Sequence, residues 1–290
     1  MRICSFLPSG TEIVFALGLG RQLVGVSHEC DYPPPARRKP IVIESILSND
    51  ISSQEIDTLV TQSIREHRSL YRIHENLLRR LAPDIVITQK LCDVCAISER
   101  DVQKALHALR VRPQVISLEP KNLSEALEDI DRVGRLTGRS SQAALLLRTL
   151  RRRIQRVVDR VRGRKRPRVA CLEWMDPLYR PGHWVPEMVR LAGGIDGLGE
   201  EGKPSTRLPW KELIAFDPQV IILMPCGFSI ERTQSEISIL TEHPGWRELS
   251  AVREDRVFCV NGPAYYNRSG PRLVDGLEIL SRLIHPEAGR

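Results

Sequence analysis

From residue 122 to residue 163 the chain offers nothing that reads as a β-strand. Leu146, Leu150, Ile154, Val157 and Val161 recur at spacings of four, four, three and four, the apolar stripe of an amphipathic helix. One break is expected, at Gly138. The face opposite the stripe is rich in arginine: between Arg148 and Arg168 eleven Lys/Arg stand against one acid, Asp159, which accounts for the net charge of +7. No aromatic side chains interleave with these cations, so a solvated helix face explains them better than a nucleic-acid surface. No nucleic-acid partner is expected.

On both sides of this helical span, strands and helices alternate. Residues 2–7 form an apolar strand, and Ser9 stands three residues before Glu12, the spacing of a capping box, so a helix is predicted from there to Gly18. Leu23 to Val26 is a second strand, residues 53–82 have the periodicity of two helices, and Ile85-Val86-Ile87 is a buried strand. A helix near 98–109 and a strand from Gln114 to Leu118 follow. The second half begins again with a strand at 168–172, a helix at 186–191, strands at 220–223 and 256–260, and a closing helix at 271–284. The segments around Pro83 and Pro218 echo each other, so the halves read as a weak internal repeat. Alternation of this kind produces parallel sheets with right-handed crossovers. The fold class expected is α/β, with two parallel-sheet lobes joined by one long helix. The divisions are 1–121 for the N-terminal lobe, 122–163 for the connecting helix and 164–290 for the C-terminal lobe. A single rigid connector permits rocking rather than wide hinge closure.

Seven cysteines in a chain of ordinary globular composition point to reduced thiols rather than a disulfide scaffold. The apolar stretch from Ile3 to Leu19 is interrupted by Pro8, Ser9, Thr11 and Glu12, which does not suit a signal peptide. No stretch approaches the ~20 apolar residues of a spanning helix. The sequence therefore predicts a cytoplasmic protein with no membrane insertion.

In parallel α/β sheets, ligands sit at the carboxyl ends of the strands. That rule selects the loops at 8–11, 28–32, 89–95, 173–184, 225–228 and 262–268. Aromatics are only 5% of the chain, yet Tyr32, Trp174, Tyr179, Trp184, Tyr265 and Tyr266 all fall on these loops. Such side chains suit a flat, partly apolar ligand, or else pack against one another. Ser9 and Thr11 open a helix whose free N–H groups would hold an anionic group, if capping does not consume them. His28 and Cys30, with Cys92 and Cys95, follow two strands of one lobe; one imidazole and three thiolates suit zinc, or a soft axial ligand to iron or cobalt. A redox dithiol and plain packing are the alternatives.

Several segments taken together resemble one family: Pro8-Ser9 with Glu12, Asp31-Tyr32-Pro33-Pro34, Leu81-Ala82-Pro83-Asp84, Leu208-Pro209-Trp210, and Arg268-Ser269-Gly270-Pro271-Arg272. In order and spacing they are similar to the class III, cobalamin and iron-siderophore type, substrate-binding proteins of ABC transporters. The resemblance implies capture, without catalysis, of a corrinoid, haem-like or siderophore-like chelate in a cleft between two lobes, with no cofactor required. It places Trp210 at that cleft and Arg268 on a ligand-contacting loop, although Ala264 stands where the family carries an acid. It also implies one permease-docking acid per lobe, at Glu212 and near Glu75; the N-lobe position itself falls on Asn76, which tells against docking. The sequence departs from exported members in an insertion near 44–73 and in His28, Cys30, Cys92 and Cys95, and so reads as a signal-less branch. The rival reading is a metal- or thiol-dependent enzyme using that cluster. No nucleophile elbow, phosphate loop or HExxH motif indicates a reaction for it.

Overall fold

The computed structural model describes residues 1–47, 51–66, 68–89, 99–107, 109 and 112–289. It divides into two compact units, Met1–Pro120 with Glu125–Leu147, and Lys121–Ser124 with Arg148–Arg290.

The first unit is built on a six-stranded sheet in the order β4-β3-β2-β1-β5-β6. The strands are β1 (Ile3–Ser5), β2 (Leu23–Ser27), β3 (Ile41–Ser45), β4 (Tyr71–Ile73), β5 (Ile85–Thr88) and β6 (Gln114–Ser117). All neighbours are parallel except β3 and β4. Strands β1 and β5 are buried along their whole length, as continuous apolar runs are when helices cover both faces of a sheet. The helices are α1 (Pro8–Ala16), α2 (Ser53–Arg65), α3 (Glu75–Leu81), α4 (Glu99–His107), most of α5 (Leu123–Leu136) and the start of α6 (Ser140–Val161). Cys4, Phe6, Val42, Leu78, Val86, Val102 and Leu106 make a core on one side of the sheet. Burial pushes the Cys4 thiol up to about 12, so it behaves as an apolar filler.

From β1 the chain moves outward through β2 and β3, then returns to β5 on the other side of β1. The strand order thus reverses between β1 and β5, and the carboxyl ends of these two strands flank the switch point. Gly10 marks how closely α1 crosses there: a Cβ at this position would lie 2.8 Å from both Ile87 Cγ2 and Ser5 Oγ.

Three local readings of the sequence are corrected. The Ser9–Glu12 capping box does not form. Helix α1 starts at Pro8 with Leu7 as its N-cap and no side-chain cap, which puts Ser9 inside the first turn, where it is buried. The same Ser-x-x-Glu spacing does form a reciprocal capping box at Ser52–Glu55, where the preceding backbone is free to adopt the extended cap conformation. Strands β3 and β4 were not expected. β4 is three residues long and takes its place by pairing with β3, a tertiary contact that periodicity does not encode.

Helices α5 and α6 break at Gly138, whose φ of +69° is the left-handed turn that glycine enters at little cost. In the second unit, Leu150, Val157 and Val161 of α6 are buried, in keeping with the apolar stripe. Its arginine face is not wholly solvated. Arg153 bonds Glu278 through two nitrogens at 2.9 Å and also pairs with Asp275, both on α13. These carboxylates hold its guanidinium well above the usual arginine range.

The second unit contains a parallel sheet, β12-β11-β7, and a small antiparallel sheet, β10-β9-β8. The strands are β7 (Val169–Leu172), β8 (Trp174–Met175), β9 (Leu178–Arg180), β10 (Thr206–Arg207), β11 (Val220–Leu223) and β12 (Val257–Cys259). The helices are α7 (Val185–Leu191), α8 (Trp210–Phe216), α9 (Ile230–Ser235), α10 (Ser238–Thr241), α11 (Ser250–Arg253), α12 (Gly262–Tyr265) and α13 (Leu273–Ile284). Strands β7 and β11 are fully buried and pack with Leu213, Leu240, Trp246 and Leu249. The antiparallel sheet is a second feature that the alternating pattern did not indicate.

Candidate functional site

In the first unit the loops after β1 and β2 meet. Thr11 is wholly buried, and its hydroxyl donates to Cys30 Sγ at 3.1 Å. Cys30 is 3% exposed. Both groups have internal work, which ties the helix after β1 to the loop after β2. His28 lies only two residues from Cys30 but is exposed, its ring 6.3 Å from that of Tyr71. Tyr32 is 45% exposed and precedes a cis peptide to Pro33. Cys92 and Cys95 lie outside the described residues. Among the described residues no group of three His, Cys, Asp or Glu side chains is arranged to hold a metal.

In the second unit the aromatics fall into two sets. Trp174 and Tyr179 sit directly opposite each other across β8 and β9, so their side chains share a face. Trp174 packs on Phe228, from the loop after β11, at 4.9 Å between centroids, and donates its Nε1–H to Asp176 O at 3.0 Å. The guanidinium of Arg232 stands 4.4 Å over Phe228. Both tryptophan and tyrosine remain partly exposed, so this face offers an apolar platform at the carboxyl ends of β7 and β11.

The other set is interior. Trp184 is 5% exposed and donates its Nε1–H to Tyr266 O at 2.7 Å. Tyr266 is 1% exposed and donates its hydroxyl to Gly276 O at 3.1 Å. Burial pushes its phenol well above the usual range. The two side chains clamp the start of α7 to α12 and α13, where a ligand-facing role had been expected. Tyr265, partly exposed, lies beside Tyr266 at 6.5 Å, with the Arg272 guanidinium 5.8 Å from its ring. Arg268, partly exposed, lies in the turn between α12 and α13.

Trp210, expected on the ligand cleft, opens α8. It stacks on His243 at 4.3 Å and on Trp246 at 6.2 Å, and donates to Pro244 O at 2.8 Å. Phe228, Arg232 and His243 were missed as neighbours of the candidate aromatics. The loop rule pointed to Phe228, and nothing local pointed to the other two. Glu212, two residues further along α8, pairs with Arg180 at 2.7 Å. In the first unit, Glu75 pairs with Arg79 at 3.1 Å and borders a groove of about 600 Å³ with Ile41, Ile73, His74 and Leu77.

Each of the two units thus carries a parallel-stranded sheet with an aromatic side chain on a strand-end loop. Comparison with known families matches residues 3–263 to the family described as Periplasmic binding protein. The chain belongs to this family, whose members are solute-binding proteins rather than enzymes. It is 25% identical over 284 residues to the vitamin B12-binding protein of Vibrio cholerae, covering 96% of this chain and 86% of that one. It is 22% identical over 292 residues to the ABC transporter substrate-binding lipoprotein YvrC of Bacillus subtilis, covering 99% and 80%. Among solved structures, the periplasmic heme-binding protein RhuT from Roseiflexus sp. RS-1 superposes with a TM-score of 0.75 at 22% identity, covering 99% of each chain. The fold is that of the class III binding proteins. The expected cytoplasmic location is overturned: the family is periplasmic and one relative is a lipoprotein, which points outside the cytoplasm. The doubt about a permease, raised by Asn76, finds no support in a relative that itself belongs to an ABC transporter.

Proposed function

We propose that the chain captures a corrinoid or a related metal chelate on its strand-end loops and delivers it to an ABC permease. The observation that carries this reading is the partly exposed Trp174–Tyr179 pair, backed by the buried Phe228, at the carboxyl ends of β7 and β11. Partly exposed aromatic faces suit a flat macrocycle, and burying such a ligand supplies most of the binding energy. Similarity to vitamin B12-binding and heme-binding proteins supports this ligand class over sugars or amino acids. Tyr265 and Arg268, of the same unit and following β12, are proposed as further contacts, Arg268 for a carboxylate or amide on the ligand rim. Glu75 and Glu212, exposed carboxylates each held by an arginine, are proposed as the permease-facing acids.

Calorimetric titration of the purified protein with cyanocobalamin, dicyanocobinamide, haemin and a ferric siderophore tests the reading. One of these is expected to bind at one-to-one stoichiometry, with affinity reduced on the order of ten-fold or more by Trp174→Ala, the loss of a stacked aromatic anchor. No heat and no thermal shift with any of the four sinks the proposal.

A further inference from the structure

Within the second unit, α6 uses its arginines in two ways. Arg153 is partly buried and is matched by Glu278 and Asp275 of α13. Arg148, Arg152, Arg156 and Arg160 follow one another at intervals of four, and all are exposed. Residues four apart form a ridge on a helix surface, and at ~1.5 Å per residue this ridge runs for about 18 Å. Arg151, also exposed, stands beside it, three positions from Arg148. From Arg148 to Val161 the single acid is Asp159, which already accepts from Arg162 at 2.8 Å and from Gln155 at 3.1 Å. Among the described residues, Arg148, Arg151, Arg152 and Arg156 make no side-chain hydrogen bond or ion pair.

Like charges four apart on a helix repel each other, so this row works against the helix that carries it. What holds the helix is its other face, where Leu150, Val157 and Val161 are buried. The row therefore has no part in packing or pairing inside the unit. Such an arrangement is expected where an external polyanion supplies the missing charge. The chemistry selects among polyanions. Guanidinium forks bind phosphate oxygens in pairs, and a bilayer offers phosphates along the whole ridge. Helix α6 carries no aromatic side chain on which bases could stack, which tells against a single-stranded nucleic acid. The family points outside the cytoplasm, where a lipid surface is the polyanion within reach.

We propose that the Arg148–Arg152–Arg156–Arg160 ridge is a docking face for an anionic phospholipid surface. The contact is peripheral: charge holds the helix against the headgroups, and among the described residues no helix is long and apolar enough to cross a membrane. Adsorption of this kind keeps the protein close to a bilayer whether or not its ligand is bound, so it stands apart from the chelate reading.

The test is co-sedimentation of the full chain with vesicles of phosphatidylglycerol and phosphatidylcholine at three to one (about −0.75 charge per lipid), against pure phosphatidylcholine, at low and high salt. The variant Arg152→Gln/Arg156→Gln removes two ridge charges while keeping good helix formers, and circular dichroism checks that it folds. Arg247→Gln/Arg253→Gln, at exposed positions elsewhere in the same unit, removes the same net charge. Wild type is expected to bind the anionic vesicles, to release them at high salt and to ignore phosphatidylcholine. The ridge variant should bind on the order of ten-fold or more weakly, since each cation near such a surface contributes roughly five-fold. The control variant should stay within about two-fold of wild type. Chelate titration should not distinguish the ridge variant from wild type. No binding of wild type to anionic vesicles at low salt, or an equal loss in the control variant, overturns the proposal and leaves the chelate reading intact. Tighter binding to duplex DNA than to the vesicles, lost in the ridge variant, also overturns it in favour of a nucleic-acid face.

Discussion

The two sets of strand-end loops solve the same problem in different ways. In the first unit, the loops after β1 and β2 bury small polar groups, Ser9, Thr11 and Cys30, and the Thr11 hydroxyl spends its bond on the Cys30 thiol. In the second unit, the corresponding loops are fastened by large aromatics, Trp184 and Tyr266, whose polar tips reach backbone carbonyls. A rim pinned by small groups lies close over its sheet, as Gly10 shows. A rim pinned by buried aromatics can hold others, Trp174 and Tyr179, half out of the surface. The difference teaches that an aromatic residue at a strand end is not by itself a ligand contact; some of them are the fasteners for the rest.

This contrast predicts unequal sensitivities. The largest effect is expected at Trp184→Ala, which empties a buried site and leaves the Tyr266 carbonyl without its donor. About 3–5 kcal/mol of stability should be lost, measured by urea denaturation. A loss below about 1 kcal/mol would show that the second rim is not held this way. An intermediate effect is expected in the first unit from Asp129, which is 3% exposed and whose carboxyl is raised to about 6 by burial despite its pairing with Arg132. An acid whose folded pKa lies above its unfolded one binds its proton more tightly in the native state. Stability should therefore fall as pH rises from about 4 to about 6, on the order of 2 kcal/mol. Asp129→Asn should flatten the stability profile across that window; a wild-type profile that rises there would refute the assignment. The smallest effect is expected at Thr11→Val, which removes one hydrogen bond to sulfur while keeping the volume, at a cost of about 1 kcal/mol. If it destabilises as much as Trp184→Ala, the contrast between the two rims collapses.

Much of the architecture was legible because it is written in neighbouring residues. The buried runs at Ile85–Thr88 and Val220–Leu223, the stripe through Leu150, Val157 and Val161, and the break at Gly138 all follow from periodicity and backbone preference within a few positions. The short strands β4, β8, β9 and β10 did not, because each exists only through a partner strand. Ser9 and Ser52 make the same point within one motif. Both precede a glutamate by three, but only Ser52 caps its helix, since Pro8 moves the start of α1 forward.

The sequence alone determined that the chain would form parallel sheets on either side of a helical span, and which loops would gather the chemistry-bearing residues. Only the tertiary structure decided which of those residues have surface to offer. Trp184 meets Tyr266 across 82 positions, and Arg153 leaves the cationic face to meet Glu278 across 125. Local pattern sets a side chain's neighbours along its own element, but burial and hydrogen-bond partners come from segments that folding brings together, and these decide whether an aromatic or a charge faces solvent.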